Sequence, residues 1–383
     1  MLLIFRLCLL FIIEGFVLSL SFSDNGQGIE YFQVSTLHYD EDSMQTQKVM
    51  YEDTASGETL YQVNDQDNSP LFYYSNIRTG VCFDNECRPL DIAVYWNITG
   101  RYLGFALPEE EFLSKYDHEP FTPEEYERLH RLLADSLLPL GNVSFEELVP
   151  TTANQNVENT EVDGVSGATS QDVLDFVVEG AAYTTHKLWN IIYGSSQELV
   201  ESLTEKKLSS DLITAILKSP DLGDKFWALN HFIRAKEITL ALQLELLHCI
   251  DDENYSLAVT ALAAVDSTML SETMQIQLLE KFENSNYGLQ LLILGKLKEA
   301  PELSQTFIAS SSQQLQSLNG KVLDEMLALY KMHHLTDEEA IKKVAALLND
   351  KNRFVSQKAY HFLTDIEVKD AAILTKIKDY VAN

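Results

Sequence analysis

The feature that most constrains the fold is a change of pattern near residue 196. Beyond it the chain shows only helical periodicity, and an Asn-Tyr pair recurs 32 residues apart, as Asn254-Tyr255 and Asn286-Tyr287. Phe226 and Phe354 lie close to one period before and two periods after these pairs. Each pair stands between two apolar segments, next to a short polar turn. This repetition predicts stacked helical hairpins, and an irregular helical bundle is the alternative.

The preceding part of the chain shows strand signals instead. Apolar and aromatic runs alternate with Asn, Asp, Ser and Gly up to residue 80. Residues 90–96 and 101–107 flank the turn Asn97-Ile98-Thr99-Gly100 and predict a β-hairpin.

A helix is expected after this hairpin. Thr122, Pro123 and Glu125 predict its start, with Thr at the N-cap, Pro at the first helical position and Glu at the third. Thr336 and Glu339 predict a late helix start by the same logic. With 383 residues, two domains are expected. We predict an α+β domain over residues 24–196 and an all-α helical-repeat domain over residues 197–383.

The charge of the chain is strongly acidic and uneven. The net charge is −30. Residues 24–196 carry 8 Lys and Arg against 30 Asp and Glu, and residues 197–383 carry 19 against 27. Such a balance argues against nucleic acid and against anionic membrane surfaces as partners.

The N-terminus has the pattern of an export signal. Arg6 precedes a largely apolar run over residues 7–20, and Ser19, Ser21 and Ser23 supply small residues for cleavage. We therefore expect residues 1–23 to be a cleaved signal peptide and the protein to be periplasmic or extracellular. The alternative is an uncleaved anchor, which would place the protein at a membrane, although Glu14 interrupts the apolar run.

The cysteines fit this compartment. Cys82 and Cys87 lie close together, and in an oxidising compartment they are expected to form a disulfide. A redox-active thiol pair is the second interpretation, and a metal or haem ligand pair is the third, because two cysteines alone make an incomplete metal site. Cys249 lies in an apolar helical stretch and is expected in the core.

The candidate cofactor site is the small-residue stretch Asp163-Gly164-Val165-Ser166-Gly167-Ala168-Thr169-Ser170. An apolar-periodic segment comes directly after it, so a helix is expected to start here. Glycine and alanine let a ligand approach the backbone, and the first N–H groups of a helix attract a phosphate. The alternative is a plain helix cap, with Thr169 at the N-cap and Asp172 three residues on.

These residues resemble the signature of FMN-binding domains, which occur in flavin-carrying subunits of Na+-translocating NADH:quinone reductase and Rnf-type complexes. The family pattern is Asp-x-x-Ser/Thr-Gly-Ala-Thr/Ser-x-Thr, and Asp163, Ser166, Gly167, Ala168 and Thr169 match it. The last Thr carries FMN covalently in some members. Gln171 stands there in this chain, so covalent attachment is not expected, and the two alternatives are non-covalent binding at Asp163 and residues 166–170, including Ser170, or a lost site.

Other polar residues give weaker hypotheses. His118 could bind metal or carry protons, but a solvated loop is the commoner case. His186 and Trp189 could contact a flavin, or belong to the core. His333-His334 is discounted as a site, because the two side chains point apart at a helix end. Asn97 and Asn142 begin glycosylation acceptor patterns.

Two functions remain open from the sequence. No hydrolase elbow, zinc-protease motif, Walker loop or dinucleotide fingerprint is present. The first hypothesis is an FMN-binding electron-transfer module with a redox partner. The second is a non-catalytic interaction or scaffold protein that recruits a partner through a helical array, which resembles HEAT repeats.

Overall fold

A computed structural model describes residues 28–37, 44–49, 59–81, 88–115, 118–144, 147–148, 171–235, 237–251 and 253–382. The chain forms two compact units, Met1–Lys207 and Leu208–Asn383. The first combines a sheet with helices and the second is helical throughout its described residues. The predicted order of an α+β domain followed by an all-α domain is confirmed.

The described part of the first unit contains a six-stranded antiparallel sheet with strand order β1-β6-β5-β4-β3-β2. The strands are β1 (Glu30–Phe32), β2 (Gln45–Lys48), β3 (Leu60–Asn64), β4 (Pro70–Thr79), β5 (Leu90–Asn97) and β6 (Tyr102–Ala106). The predicted hairpin is confirmed as β5 and β6. Its turn is held by the buried Asn97 side chain, which accepts hydrogen bonds from the N–H groups of Thr99 and Arg101. Because Asn97 is fully buried, it is not available for glycosylation in the folded protein, whereas Asn142 is exposed.

Helices pack on the face of the sheet that carries its largest buried side chains. They are α1 (Pro123–Ala134), α2 (Ala182–Ile192) and α3 (Ser195–Lys206). The Trp96 indole N–H donates to the carbonyl of Ile192 at 2.9 Å. The hydroxyl groups of Tyr73 and Thr204 lie 3.3 Å apart. These bonds tie α2 and α3 to the sheet, so the unit boundary falls after α3 and not at residue 196, where the strand signals stop.

The start of α1 agrees with the sequence. Thr122 accepts from the N–H of Glu125, and the Glu125 carboxylate accepts from the N–H of Thr122. The capping box pairs two backbone N–H groups that the start of the helix would otherwise leave without a partner. Pro123 has no N–H group and so requires no partner. This predicted helix start is confirmed.

The opposite face of the sheet carries a row of aromatic side chains at positions that lie directly across from one another on neighbouring strands. Phe32 pairs with Gly104, Gly104 with Tyr95, Tyr95 with Tyr74, and Tyr74 with Tyr61. The ring centroids of Tyr61 and Tyr74 lie 4.9 Å apart, those of Tyr74 and Tyr95 5.5 Å, and those of Tyr95 and Phe32 4.9 Å. Such cross-strand aromatic pairs stabilise a sheet. Gly104 supplies the space in which the Phe32 ring reaches Tyr95.

The second unit is built from paired helices. They are α4 (Ser210–Leu217), α5 (Leu222–Asn230), α6 (Leu240–His248), α7 (Tyr255–Ala264), α8 (Glu272–Glu283), α9 (Tyr287–Leu297), α10 (Gln305–Ser312), α11 (Gly320–Met332), α12 (Glu338–Ala346), α13 (Arg353–Asp365) and α14 (Ala371–Ala382). The odd-numbered helices pack in sequence, α5 on α7, α7 on α9, α9 on α11 and α11 on α13. Among the even-numbered helices, α4 packs on α6, α8 on α10 and α10 on α12. Apolar side chains between the two rows form the core, and the predicted burial of Cys249 is confirmed.

The N-caps show the period of this array. Each odd-numbered helix starts after a side chain that accepts from a first-turn N–H, and these caps stand 32 or 33 residues apart: Asp221, Asn254, Asn286, Asn319 and Asn352. The recurring Asn residues of the sequence therefore cap helices. The positions equivalent to Tyr255 are Leu222 in α5 and Arg353 in α13, so the repeat assignments of Phe226 and Phe354 are wrong. The cap expected at Thr336 is also wrong, because Asp337 caps α12.

Candidate functional site

The predicted FMN-site residues Asp163, Ser166, Gly167, Ala168, Thr169 and Ser170 lie outside the described residues, so this site remains a prediction. The structure does describe the chain from residue 171 onward. Gln171–Phe176 is a six-residue 3-10 helix, and Gly180 then adopts a φ of 75° before α2 begins. The α-helix expected directly after the motif is therefore replaced by a short 3-10 helix. A short 3-10 helix offers a weaker dipole to a phosphate than a long α-helix.

Cys82 and Cys87 also lie outside the described residues, but the strands that flank them are described. Thr79 at the end of β4 pairs with Leu90 at the start of β5. Cys82 comes three residues after Thr79 and Cys87 three residues before Leu90. Both cysteines therefore belong to the connection between two paired strands.

We predict a Cys82–Cys87 disulfide in the native protein. The pair would close a short loop in the connection between β4 and β5, in a compartment that favours disulfides. Intact mass after alkylation, with and without prior reduction, measures the number of free thiols. Protection of both cysteines until reductant is added is the expected result. Alkylation of both in the unreduced native protein excludes the disulfide.

The histidine candidates of the first unit have ordinary surroundings. His118 is exposed with a φ of 59°. The His186 Nε2 atom lies 2.9 Å from the carbonyl oxygen of Val143. Trp189 is 8% exposed, and its indole N–H donates to the carbonyl of Asp135 at 2.9 Å. These contacts place His186 and Trp189 in the packing of the helices.

A different surface stands out in the second unit. Tyr255 and Tyr287, the first residues of α7 and α9, are each 50% exposed, and Phe354 near the start of α13 is 44% exposed. We call these three rings the aromatic strip. Tyr255 and Tyr287 begin successive odd-numbered helices, whereas Phe354 is the second residue of α13, and α11 between α9 and α13 begins with Gly320. In the sequence these residues are visible as markers of the repeat, but nothing in their spacing indicates that the rings are exposed.

Two glycines let rings of the aromatic strip lie against neighbouring helices. A Cβ placed on Gly288 would lie 3.4 Å from Cε2 of Tyr255, so this ring rests against the first turn of α9. A Cβ on Gly320 would lie 2.8 Å from Cδ1 of Phe354, so that ring rests against the first turn of α11. Both rings are therefore supported by backbone while about half of each side chain stays exposed. Supported rings of this kind are suited to stacking.

The segments of α7 and α9 that begin with Tyr255 and Tyr287 carry no charged side chains. All ten residues of α7 are uncharged, and so are those of α9 from Tyr287 through Gly295. Charge appears at the two ends of the surface. Asp251 and Glu253 precede α7, whereas Arg353 starts α13, and the Lys358 ammonium lies 5.3 Å from the centre of the Phe354 ring. Helix α11 lies between α9 and α13 and carries Lys321, Asp324 and Glu325, and Asp324 pairs with Lys358 at 2.8 Å, so only the part of the surface on α7 and α9 is uncharged.

A groove of about 610 Å³ lies at the C-terminal end of α7, and its lining mixes apolar residues with polar and charged ones, among them Asp266 and Glu299. Thr260, Ala263 and Ala264 line one wall, and Ile233, which is 91% exposed, lies on another. Lys296 closes one side, where its ammonium donates to the carbonyl of Val265 and to Glu299. This groove lies at the end of α7 opposite to Tyr255, so it is separate from the aromatic strip.

Within the described parts of the chain, no group of three or more His, Cys, Asp or Glu side chains could hold a metal ion. No helix in those parts is long and apolar enough to cross a bilayer. Comparison with protein families, with curated proteins and with solved structures found no match. The function must therefore be inferred from the chemistry of the surfaces themselves.

Proposed function

We propose that the protein is an exported, non-catalytic interaction protein, and that its helical array recruits a protein partner. The observation that carries this proposal is the exposure of Tyr255 and Tyr287 at the start of uncharged stretches of α7 and α9, in a chain with a net charge of −30. Large aromatic side chains on a neutral surface are the usual anchors of protein interfaces. The array also resembles HEAT repeats, whose stacked units offer extended binding surfaces.

The size of the native complex tests this proposal. In extracts of the native host we expect the protein to elute with its partner, well above the size of a monomer. The double variant Tyr255→Ser, Tyr287→Ser should elute at the monomer size. The matched control is Leu240→Ser, since Leu240 is 67% exposed on the even-numbered helix α6. Equal elution of the double variant and the wild type contradicts an interface at the aromatic strip.

The second candidate function is non-covalent FMN binding with a role in electron transfer, favoured by the match of Asp163 and residues 166–169 to the FMN-binding pattern. Backbone N–H groups around Gly167 would hold the phosphate, and the hydroxyls of Thr169 and Ser170 would add hydrogen bonds. The stretch contains no Lys or Arg, so nearly all attraction must come from these dipoles. FMN bound there would supply the redox chemistry.

Absorbance and titration decide this second candidate. A flavoprotein from the native host absorbs in the visible range, and acid precipitation releases its FMN when the flavin is not covalently bound. Gly167→Val should weaken FMN binding, because a branched side chain blocks the approach to the backbone. A colourless native protein that binds no added FMN excludes the cofactor and leaves the interaction proposal in place.

Export is part of both candidate functions and gives a further prediction. We expect cleavage between about residues 19 and 24, where Ser19, Ser21 and Ser23 stand at the end of the apolar run. N-terminal sequencing of the mature protein measures the cleavage point. An intact Met1 on protein from the cytosolic fraction contradicts export.

A further inference from the structure

We propose that Tyr61 and Tyr74 form a site of oxidative cross-linking, at which a one-electron oxidant joins the two rings as dityrosine. The site lies in the aromatic row on the sheet of the first unit. Tyr61 on β3 pairs directly with Tyr74 on β4 in the antiparallel register. Their ring centroids lie 4.9 Å apart and the ring planes differ by only 13°. Both side chains are partly exposed, so an oxidant in solution can reach them.

The hydroxyl ends of the two rings also lie close together. Burial, and then the charge on the neighbouring Tyr61 oxygen, raise the pKa of the Tyr74 phenol. One phenol affects the other in this way only over a short distance. The carbon that couples in dityrosine is next to the carbon that carries the hydroxyl. Two hydroxyl groups that lie close therefore bring the two coupling carbons together.

The reaction balances with an oxidant of a common class, a haem peroxidase that uses hydrogen peroxide. Each phenol loses one electron and one proton and becomes a neutral tyrosyl radical. The two radicals form one carbon–carbon bond between their ortho carbons. The proton on each of these carbons then moves to the phenol oxygen, which restores two phenols. The two electrons and two protons that were released reduce one hydrogen peroxide to two water molecules.

The next tyrosine of the row is less suited to coupling. The ring centroids of Tyr74 and Tyr95 lie 5.5 Å apart and their planes differ by 26°. Burial, and then the charges of Glu30 and Tyr74, raise the pKa of Tyr95 to about 12, so this phenol gives up its proton less readily. On its other side Tyr95 meets Phe32, which has no phenol to oxidise. The β3–β4 end of the row is therefore the place at which two radicals couple.

Two further tyrosine pairs in the described part of the chain are less well placed. The ring centroids of Tyr31 and Tyr126 lie 6.1 Å apart, and Tyr126 is only 4% exposed. Those of Tyr360 and Tyr380 lie 5.2 Å apart with planes that differ by 26°, and the Tyr380 hydroxyl lies 3.1 Å from the hydroxyl of Ser356. Because Tyr360 and Tyr380 belong to the second unit, they offer an internal control for the selectivity of the reaction.

The test treats the full mature chain, diluted so that molecules rarely meet, with a haem peroxidase and hydrogen peroxide. Dityrosine fluorescence measures the product. Cleavage after Asp65 or Asp67 separates the two tyrosines, so mass spectrometry of the digested monomer locates the cross-link. We expect one product, lighter by two hydrogen atoms, that joins the peptides of Tyr61 and Tyr74. Tyr74→Phe keeps the ring but has no phenol, so this product should be lost, whereas the matched control Tyr360→Phe should give the wild-type yield.

Three results overturn the inference. The first is that the monomer contains no dityrosine after oxidation. The second is an unchanged yield in Tyr74→Phe, and the third is an equal or larger yield at Tyr360 and Tyr380 than at Tyr61 and Tyr74. Each of these results leaves the proposed interaction function in place, because the aromatic strip belongs to the second unit.

Discussion

Replacing Gly104 by alanine is expected to destabilise the first unit by about 3 kcal/mol or more, the upper end of what overpacking costs. A Cβ at this position would lie 2.2 Å from the carbonyl oxygen of Tyr31 and 2.5 Å from Cδ1 of Phe32. The first of these atoms is backbone, so rotation of a side chain cannot relieve the contact. Strand β1 must move away from β6, which also separates Phe32 from Tyr95.

Denaturant unfolding followed by tryptophan fluorescence measures this loss, since two of the three tryptophans, Trp96 and Trp189, lie in the first unit, and Trp227 reports the second. The control is Gly295→Ala in α9, where a Cβ would meet no atom within 4 Å. Alanine favours a helix by up to about 1 kcal/mol over glycine, so this variant should stabilise the second unit. If Gly104→Ala unfolds at the wild-type denaturant concentration, the close pairing of β1 with β6 is contradicted.

Acidification is expected to cost the first unit up to about 3 kcal/mol through one histidine. His130 is 2% exposed, between the rings of Tyr31, Tyr102 and Phe105, and its Nδ1 lies 3.0 Å from the Tyr102 hydroxyl. Burial, and then the charge of Arg131, lowers the pKa of His130 from 6.5 to about 4. Between these two pH values the unfolded chain binds a proton that the folded protein does not. The contribution of neutral His130 to the free energy of unfolding is therefore complete above about pH 6.5 and decreases as the pH drops towards 4.

The free energy of unfolding, measured at several pH values in this window, checks the effect. His130→Gln keeps a neutral amide beside Tyr102 and removes the titrating group. The stability of this variant should fall less on acidification than that of the wild type. The difference between the two pH profiles is the effect of His130, because the carboxylates titrate in both proteins. Parallel pH profiles for the two proteins would show that His130 does not stay neutral in the core.

Local signals made part of the fold predictable. The capping box at Thr122 and the β5–β6 hairpin depend on residues that are neighbours in sequence, and both were found where expected. The pairs Asn254-Tyr255 and Asn286-Tyr287 can be recognised in the sequence because an N-cap residue recurs once in each helical repeat. Where two neighbouring residues could both cap a helix, as Thr336 and Asp337 could, the sequence did not distinguish them.

The remaining features depend on contacts between distant residues. The aromatic row on the sheet requires β1 to pair with β6, across about seventy residues of chain, which no local pattern specifies. The assignment of Phe226 to the repeat was wrong because apolar residues are frequent on every helix, and only packing shows that Leu222 holds the equivalent position. The exposure of Tyr255 and Tyr287 also depends on packing, since a tyrosine at the start of a helix is as easily buried as exposed.

Site-specific photo-cross-linking tests the central claim most directly. A photoreactive phenylalanine analogue is placed at position 255, at position 287 or, as a control, at position 240, and each protein is irradiated in the native host. The proposed function predicts that positions 255 and 287 cross-link to the same protein and that position 240 does not. Equal cross-linking from all three positions, or none from 255 and 287, would contradict the claim that the aromatic strip is the binding surface.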